Sequence, residues 1–577
     1  MWRLHSVLGL VMATLGAFGA LCLLHAPLFR LPYFWDEAGY YIPAAQDFYH
    51  HGLLIPQHTL PSGHTPLLSV YLGLAWHLFG FSPFVTRVAL VLVAALTVVA
   101  LYVLGRRVVQ GEAKREIMLW SSLLLALSPV FFAQSSLAQP EILVALFTTR
   151  ALIALLGDHL LTFALVASLA ILSKETAVIL LPVAWLFSSC RRREKRLIAW
   201  IALVLPTLPL LAWALYYHRA TGFWTGNAEY LRYNLYSTLS PARIFLTLLR
   251  RIWELFLAGF NWVLLLASAV GLWLTKSGEK GKRAKGEREV YTEGGIRHTG
   301  RQKNRARMLY ALYRIPLLLP SSPSAPRTPN PEPRVPSPES QTPNPEPRIS
   351  QLTGDFIFLS TVLLIAYLLT LSLVGGAVLA RYLVPVFPIF YLLAVTFTWR
   401  LPRAFARTAC ALAAACLVGS WFINPPYPFP FENNLSYADF IRLHQEAAHL
   451  LENLPGDPIV LTAWPASGEL TTPALGYVSR PLRVKMVRGF TAEDFDSTTP
   501  QSFDLLYLYS RRWEPEKNWL ARWALLRETQ RRYFGYASQI SELTLVERYH
   551  LRLLLSLERR GQWVRIYIVA HRKRESE

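Results

Sequence analysis

The chain has 577 residues, of which 53% are hydrophobic and 16% are charged, and its mean hydropathy is +0.29. Soluble domains carry about 25% charged residues, and here the apolar residues come in long blocks, so the composition excludes a soluble enzyme of this size and predicts a polytopic membrane protein. The net charge of +21 does not indicate nucleic-acid binding. The basic residues lie between the apolar blocks and in one polar insert, as in positive-inside loops, and no zinc-finger, RRM or helix-turn-helix pattern accompanies them.

Apolar blocks of the length that crosses a bilayer, about 20 residues, recur along the chain. The pattern predicts about eleven membrane-spanning helices, at 6–28, 84–105, 117–134, 139–156, 159–173, 176–190, 198–217, 252–274, 355–375, 382–399 and 406–424. The apolar stretch at 66–79 is too short to span and predicts a helix that lies at the membrane interface.

The spans and the polar segments between them divide the chain into four parts. Residues 1–274 form a membrane part whose first outward loop is 30–65, residues 351–424 contain the remaining spans, and residues 425–577 form a polar C-terminal domain. Between them, the insert at 275–350 is first basic and then proline-rich, and the sequence TPNPEPR occurs at 328–334 and again at 342–348. Such a composition cannot bury a core, so it predicts a disordered insert.

The C-terminal part is patterned like a globular domain. Apolar residues recur at helical spacing over 439–454, and the segments 456–465, 503–510 and 563–572 are typical of buried strands. Alternating helices and strands predict a small soluble α/β domain outside the membrane.

The basic loops predict the orientation of the chain, because Lys and Arg are concentrated on the cytoplasmic side of membrane proteins. One side receives Arg3, the group at 106–115, the run RRREKR at 191–196, the insert and the arginines at 400–407. The other side receives the first loop, the turns near 134 and 174, the 218–251 loop, the turn before Arg381 and the C-terminal domain. The arginines of the 218–251 loop do not fit this rule, and either an outward phosphate site or a wrong span accounts for them. The expected location is the plasma (inner) membrane, with the site and the C-terminal domain extracytoplasmic.

Two adjacent acids, Asp36 and Glu37, stand in the sequence WDEAGYY just after the first span. A carboxylate costs at least about 2.5 kcal/mol at the centre of a membrane helix, but at this position water reaches it. Neighbouring side chains on a helix point in different directions, so only one of the two acids needs to face a site. Asp36 is either a helix cap or a catalytic group, and the spacing alone does not decide between them.

Three other outward turns carry charged residues. Glu141 follows Pro140, where an acid also complements the dipole of a starting helix. Lys174 and Glu175 lie between two apolar runs, and one interpretation is an ion pair between them, although neighbouring side chains on a helix do not face each other. Arg381 stands at a helix entrance and is either an interface anchor or a residue that grips phosphate. Acids and cations on one side of the membrane suit glycosyl transfer from a lipid phosphate, which needs a general base and positive charge at the leaving group.

Four sequence elements together resemble one known family: the early DEAGYY, the stretch GHTPLLSVYLGLAWHLFGFSPFVTRVA at 63–89, the element SKETAVILLP and the late ARYLVPVFPIF. They are similar to the C-type integral-membrane glycosyltransferases (GT-C fold), and most similar to the dolichyl-phosphate-mannose protein mannosyltransferase-like family, glycosyltransferase family 39. The lipid A aminoarabinose transferases are related to it. The resemblance covers most of residues 1–424 apart from the insert.

The resemblance implies an enzyme that moves one sugar from a polyprenyl-phosphate donor to a hydroxyl acceptor (protein, lipid or glycan) on the outer face of the lipid bilayer, with inversion. It implies that Asp36 is the general base, that Glu37 orients the acceptor or the base, and that Glu141 is the second-loop acid.

The resemblance also implies which residues hold the lipid phosphate, namely Lys174 and Arg381, with Tyr382 lining the site. His64 and Glu175 are further candidates at the same side of the membrane.

The chain departs from the family in two ways: we find no MIR repeats, and the second-loop acid is Glu141 where Asp is common. The WWDYG signature of oligosaccharyltransferases is absent from the sequence. The family mostly works without a metal, and we expect no cofactor here; His50, His51, His58 and His64 lack a metal-ligand spacing, although a divalent metal is a minority alternative. Two other functions stay open, a lipid-linked sugar transporter or flippase and a non-catalytic surface-assembly protein.

Overall fold

The structure is a computed structural model that describes residues 2–59, 61, 63–191, 196–224, 226, 232, 238–275, 277, 351–513, 523–534 and 539–570. The predicted insert therefore lies outside the described residues from position 278 onward. The unit made of residues 1–272 and 349–577 contains both the membrane part and the C-terminal domain.

The described residues of the membrane part are mainly helical. Six helices among the described residues are long and apolar enough to cross a membrane: Val7–Leu28, Pro83–Val108, Trp200–Thr221, Ala258–Thr275, Gly354–Leu373 and Ala380–Thr398. Shorter helices occupy the other predicted spans: Lys114–Leu127, Pro129–Gln134, Glu141–Leu156, Leu160–Ser173, Leu180–Arg191 and Arg403–Gly419. The structure thus confirms the predicted polytopic helical fold.

Two of the predicted spans differ in detail from the observed helices. The span predicted at 117–134 is broken at Ser128, because the residue before a proline avoids the helical conformation. The span predicted at 252–274 is observed as Ala258–Thr275. The residues before it form a separate amphipathic helix, Pro241–Phe256. The backbone is non-helical at Gly259 (φ 61°), which separates that helix from the span. The interfacial helix predicted at 66–79 is observed as Leu67–Phe79.

Three segments at or next to the predicted cytoplasmic side, 109–116, 351–352 and 403–407, contact one another. Strand β1 (Val109–Gln110) follows the helix Pro83–Val108, and strand β2 (Gln351–Leu352) precedes the helix Gly354–Leu373. The two strands pair antiparallel. Ion pairs join the segments 109–116 and 403–407: Arg403–Glu112 at 2.6 Å and Arg407–Glu116 at 2.7 Å.

The C-terminal domain is an α/β domain, as the sequence predicts. Its sheet has the strand order β4-β3-β5-β7-β6, and its helices are Ser436–Glu452, Ala466–Thr471, Ala524–Phe534 and Glu542–Tyr549. The strands are β3 (Val460–Ala463), β4 (Val484–Val487), β5 (Leu505–Tyr509), β6 (Leu551–Arg559) and β7 (Gln562–Val569). Strands β3, β4 and β5 run parallel, whereas β7 is antiparallel to both of its neighbours.

A buried ion pair fixes the first loop against the membrane helices. The side chain of Arg87, which is fully buried, donates to the carbonyl oxygens of Leu31, Pro32 and Ser136 at 3.2, 2.6 and 2.7 Å. Its guanidinium lies 3.4 Å from a carboxylate oxygen of Glu37.

Glu37 completes this arrangement from the other side. Its carboxylate accepts hydrogen bonds from the backbone N–H of Phe34 at 2.8 Å and of Ala138 at 2.5 Å. Because every partner is buried, the loop that contains Asp36 and the turn before Glu141 are held in a fixed relation to each other.

Breaking this pair should destabilise the protein strongly. We expect Arg87→Met to lower the free energy of unfolding by about 3–5 kcal/mol, because it leaves the carboxylate of Glu37 buried without its counter-charge. The double variant Arg87→Met/Glu37→Gln should recover part of that loss. Denaturant titration in mixed micelles measures both effects, and Arg106→Met, at the exposed end of the same helix, is the matched control. Equal stability of Arg87→Met and the control would contradict this account.

Candidate active site

A cavity of about 1390 Å³ lies where the first loop, the ends of several membrane helices and the C-terminal domain meet. It brings together charged side chains from segments that are far apart in the sequence. Among the residues lining it are Asp36, His64, Glu141, Lys174, Glu175, Arg381, Tyr382 and Glu432. All predicted site residues except Glu37 therefore line one cavity.

Arg381 is the centre of the charged part of the cavity. One terminal nitrogen lies 2.5 Å from Asp36 Oδ2 and the other lies 2.7 Å from Glu432 Oε2, while Nε lies 3.5 Å from Glu141 Oε1. The side chain of Arg381 is 3% exposed, so these carboxylates compensate a cation that has little contact with water. The arginine stands at the start of the 3₁₀ segment Ala380–Val386, which leads into a membrane helix.

Lys174 forms the second cationic contact of the cavity. Its Nζ lies 2.6 Å from Glu141 Oε1 and 4.0 Å from the centroid of the Tyr382 ring, a cation–π geometry. The backbone of Lys174 is extended (φ −158°, ψ 132°) between the helix Leu160–Ser173 and the 3₁₀ turn that begins at Glu175. Lys174 therefore pairs with an acid of another turn, and an ion pair with its neighbour is not observed.

Glu175 pairs with His64 instead. Its carboxylate lies 3.1 Å from His64 Nδ1, and the imidazole stacks beside the ring of Tyr41 at a centroid distance of 6.1 Å. Burial raises the pKa of the Glu175 carboxyl, but His64 and Lys174 outweigh it and lower that pKa to about 2. The carboxylate is therefore ionised at every pH at which the protein is expected to work.

The two adjacent acids of the first loop have different environments. The side chain of Asp36 makes no capping hydrogen bond to the helical turn Glu37–Tyr41 that follows it, so the structure does not support the helix-cap interpretation. Its carboxylate instead faces Arg381 in the cavity. Trp35, just before it, has a positive φ of 42°, a conformation that costs energy in a non-glycine residue.

Glu37, which the sequence placed among the catalytic residues, does not line the cavity. It is fully buried and all of its observed partners belong to the loop, to the turn near Ala138 and to Arg87. Through these contacts Glu37 holds the segment that carries Asp36, and its side chain does not line the cavity; its implied role in orienting the base stays a prediction.

Several charged residues at or near the cavity, among them Glu432 and Arg251, were not identified from the sequence. Glu432 lies in the segment after the last span, where NPPYPFPFENN shows no helical or strand period, so nothing in the sequence distinguished it. Arg251, in the amphipathic helix Pro241–Phe256, is fully buried and its guanidinium lies 5.5 Å from the Tyr382 ring centroid. The excess of arginines in the 218–251 loop was a signal that could have identified it.

The histidines of the first loop do not form a metal site in the described structure. His58 Nδ1 lies 2.5 Å from Asp47 Oδ1, and the same carboxylate accepts backbone N–H bonds from Gln57 and His58. Across the described ranges, no group of three or more His, Cys, Asp or Glu side chains is arranged to hold a metal ion.

The pair of Glu175 and His64 gives a pH-dependent contribution to stability. Because the pKa of Glu175 is lower in the folded protein (about 2) than its ordinary value of 4.5, the contribution is complete above pH 4.5 and is lost as the pH falls towards 2. Glu175→Gln should therefore unfold at a lower temperature than the wild type at pH 7. The difference should narrow between pH 4.5 and 2. Differential scanning fluorimetry in detergent measures the unfolding temperatures. His64→Gln should show the same pH dependence as Glu175→Gln. A difference in unfolding temperature that does not depend on pH would refute the assignment.

Solved structures similar to this chain come from bacteria and archaea. ArnT from Cupriavidus metallidurans bound to undecaprenyl phosphate has a TM-score of 0.49 at 12% identity, with 98% of both chains covered. Its apo state has a TM-score of 0.47 at 13% identity, again with 98% of both chains covered. The Archaeoglobus fulgidus oligosaccharyltransferase tethered with an acceptor peptide has a TM-score of 0.40 at 13% identity, covering 87% of this chain and 68% of the other.

In sequence, no curated protein matches the chain. Residues 63–217 match the family described as dolichyl-phosphate-mannose-protein mannosyltransferase. The match begins in the GHTPLL stretch and includes the SKETAVILLP element, His64, Glu141 and Lys174, whereas Asp36 and Arg381 lie outside it. It confirms, over those residues, the resemblance drawn from the sequence motifs.

Proposed function

We propose that the protein is a glycosyltransferase that moves one sugar from a polyprenyl-phosphate donor to a hydroxyl-bearing acceptor, at the outer face of the plasma membrane and with inversion at the sugar. The observation that carries the proposal is the meeting of Asp36, Lys174 and Arg381 in one cavity. It supplies a base and two cations within one site. The description of the matching family, which names dolichyl-phosphate-mannose, supports a polyprenyl-phosphate sugar as the donor.

The lining of the cavity suits an amphiphilic donor. Beside the charged residues, it contains apolar and aromatic side chains of two membrane helices, including Val144, Tyr367, Leu371 and Val374. A polyprenyl chain would lie against these side chains, and its phosphate would lie at the charged end. Lys174 and Arg381, with Tyr382 between them, would then bind the phosphate oxygens through charge-assisted hydrogen bonds.

In this mechanism Asp36 takes the proton from the acceptor hydroxyl. The acceptor oxygen attacks the anomeric carbon from the face opposite the phosphate, the bond from that carbon to the phosphate oxygen breaks, and polyprenyl phosphate leaves with the electron pair. Attack from the opposite face inverts the anomeric configuration. Lys174 and Arg381 stabilise the negative charge that grows on the leaving phosphate.

Donor binding would have a second consequence, because Arg381 also contacts Asp36. While Arg381 lies 2.5 Å from Asp36 Oδ2, that oxygen accepts a hydrogen bond from the guanidinium. A donor phosphate would compete for the same guanidinium, so its binding would weaken this contact and free the carboxylate oxygen for the acceptor hydroxyl.

The transporter alternative is less well supported by the positions of the charges. Transporters of lipid-linked sugars would carry their binding charges near the bilayer midplane, on broken helices. Here Glu141 starts a helix, Lys174 follows one and Arg381 precedes one, so the charges lie at helix ends.

Removing the base should abolish transfer. We expect Asp36→Asn to lower kcat at least about a hundredfold, the lower range for the loss of a general base, with the protein still folded. The assay follows radiolabel from polyprenyl-phosphate sugars to acceptor or water by purified protein. The matched control is Asp355→Asn, in the first turn of the helix Gly354–Leu373, about 24 Å along the axis from Leu371 at the cavity. Unchanged turnover in Asp36→Asn would show that Asp36 is not the base and would make Glu141 the next candidate for the base.

Removing a cation should weaken donor binding. We expect Lys174→Met to raise the KM for the donor about tenfold to a hundredfold, the effect of one charge-assisted hydrogen bond. This change also leaves Glu141 without its partner, so the double variant Lys174→Met/Glu141→Gln separates the two effects. The double variant should be as stable as the wild type in thermal unfolding and still show the raised KM. A normal KM in both variants would exclude Lys174 from the phosphate site.

A further inference from the structure

The carboxyl ends of two parallel strands of the C-terminal domain open onto the cavity. Trp464 follows β3 directly, and Arg511 follows β5 after a single residue; both side chains line the cavity. In open α/β sheets, ligands bind in the crevice outside the carboxyl ends of the strands. The C-terminal domain therefore presents to the cavity the edge at which such domains bind ligands.

Trp464 reaches from this edge to the segment that carries Asp36. Its indole packs so closely on Gly39 that a Cβ at that position would lie 2.7 Å from the ring. The Trp464 and Trp35 rings meet edge to face with centroids 5.3 Å apart. The hydroxyl of Tyr509 donates to the carbonyl oxygen of Trp464 at 2.8 Å, which fixes the backbone here. Two indoles thus stand next to Asp36, both half-buried and both lining the cavity.

Arg511 gives the same region a positive charge. Its guanidinium carbon lies 5.9 Å from the centroid of the Trp35 ring, and it forms no ion pair with any residue that the structure describes. Arg381 and Lys174, by contrast, are compensated by carboxylates. A half-buried arginine that lines a cavity and has no carboxylate partner among the described residues is suited to an anionic group of a ligand.

We propose that Trp35, Trp464 and Arg511 form the acceptor subsite and that the acceptor is an anionic sugar. The C–H face of its pyranose ring packs on the indoles, and a carboxylate or phosphate on the ring pairs with Arg511. This inference rests on the proposed function, because it names the substrate that Asp36 deprotonates. The C-terminal domain supplies Trp464 and Arg511 to the acceptor subsite, whereas Trp35 and the residues that would bind the donor phosphate belong to the membrane part.

The first test measures binding without the donor. Full-length protein in phosphatidylcholine nanodiscs is dialysed against radiolabelled methyl glucoside, methyl glucuronide or methyl glucoside 6-phosphate. We expect one or both anionic probes to bind about tenfold to a hundredfold more tightly than the neutral one, the effect of a hydrogen bond to a charged group. The anionic probe that binds more tightly identifies the acidic group as a carboxylate or a phosphate.

Variants assign this preference to Arg511. Arg511→Gln should remove the preference and leave the affinity for methyl glucoside unchanged. Arg488→Gln is the matched control, because Arg488 also follows a parallel strand of the sheet, β4, but is exposed and does not line the cavity. Trp464→Leu should weaken the binding of all three probes by a similar factor, since packing on an indole does not depend on the charge of the sugar.

A transfer assay separates this proposal from the proposed function. Without any acceptor sugar, the wild type and the control Arg488→Gln should release sugar from the donor to water at the same rate, because Arg488 is exposed and does not line the cavity. Equal binding of the three probes by the wild type, or a preference that survives Arg511→Gln, would overturn the acceptor subsite. Failure of the folded wild type to release sugar from any polyprenyl-phosphate donor would overturn the proposed function, and the acceptor role with it.

Discussion

The arrangement of the charged groups in the cavity depends on one guanidinium group. Arg381 faces the carboxylates of Asp36, Glu141 and Glu432, which come from the first loop, the start of a membrane helix and the segment after the last span. None of these acids could be buried at low cost without a cation beside it. The side chain of Arg381 therefore joins three distant parts of the chain. Its position also determines where the base and the leaving-group site would lie.

The positions of the spans and of three C-terminal strands, β3, β5 and β7, could be predicted from the sequence, because they follow from hydrophobic periodicity, which is a local property; β4 and β6 were not identified in this way. The charged turns could also be found, since a charged residue between apolar blocks is conspicuous. The two alternatives for Asp36 could not be separated in this way, because a cap and a base occupy the same position in a sequence. Only the direction of the side chain distinguishes them, and here it faces Arg381 and makes no capping bond.

The residues that the sequence did not identify depend on contacts between distant segments. The partner of Lys174 is 33 positions away, in another turn, although a local pair with its neighbour was equally compatible with the sequence. Glu432, Trp464 and Arg511 lie in the C-terminal part, whose place beside the first loop is set by packing such as that of Trp464 on Gly39. No spacing rule relates residues that are so far apart in the chain, so their common site becomes visible only in three dimensions.

The charges of the cavity constrain how an anionic donor could bind. Three carboxylates, Asp36, Glu141 and Glu432, face two cations, Lys174 and Arg381, so this group of five is negative by one charge, whereas the described lining of the whole cavity has six Lys and Arg side chains against four Asp and Glu side chains. Burial raises the pKa of the Glu432 carboxyl above its usual value, and Asp36 adds to this effect while Arg381 opposes it. Glu432 therefore takes up a proton more readily than an ordinary carboxyl group does. A neutral Glu432 would leave more of the positive charge of Arg381 available for a donor phosphate, which is the group that Arg381 has to stabilise as the phosphate leaves.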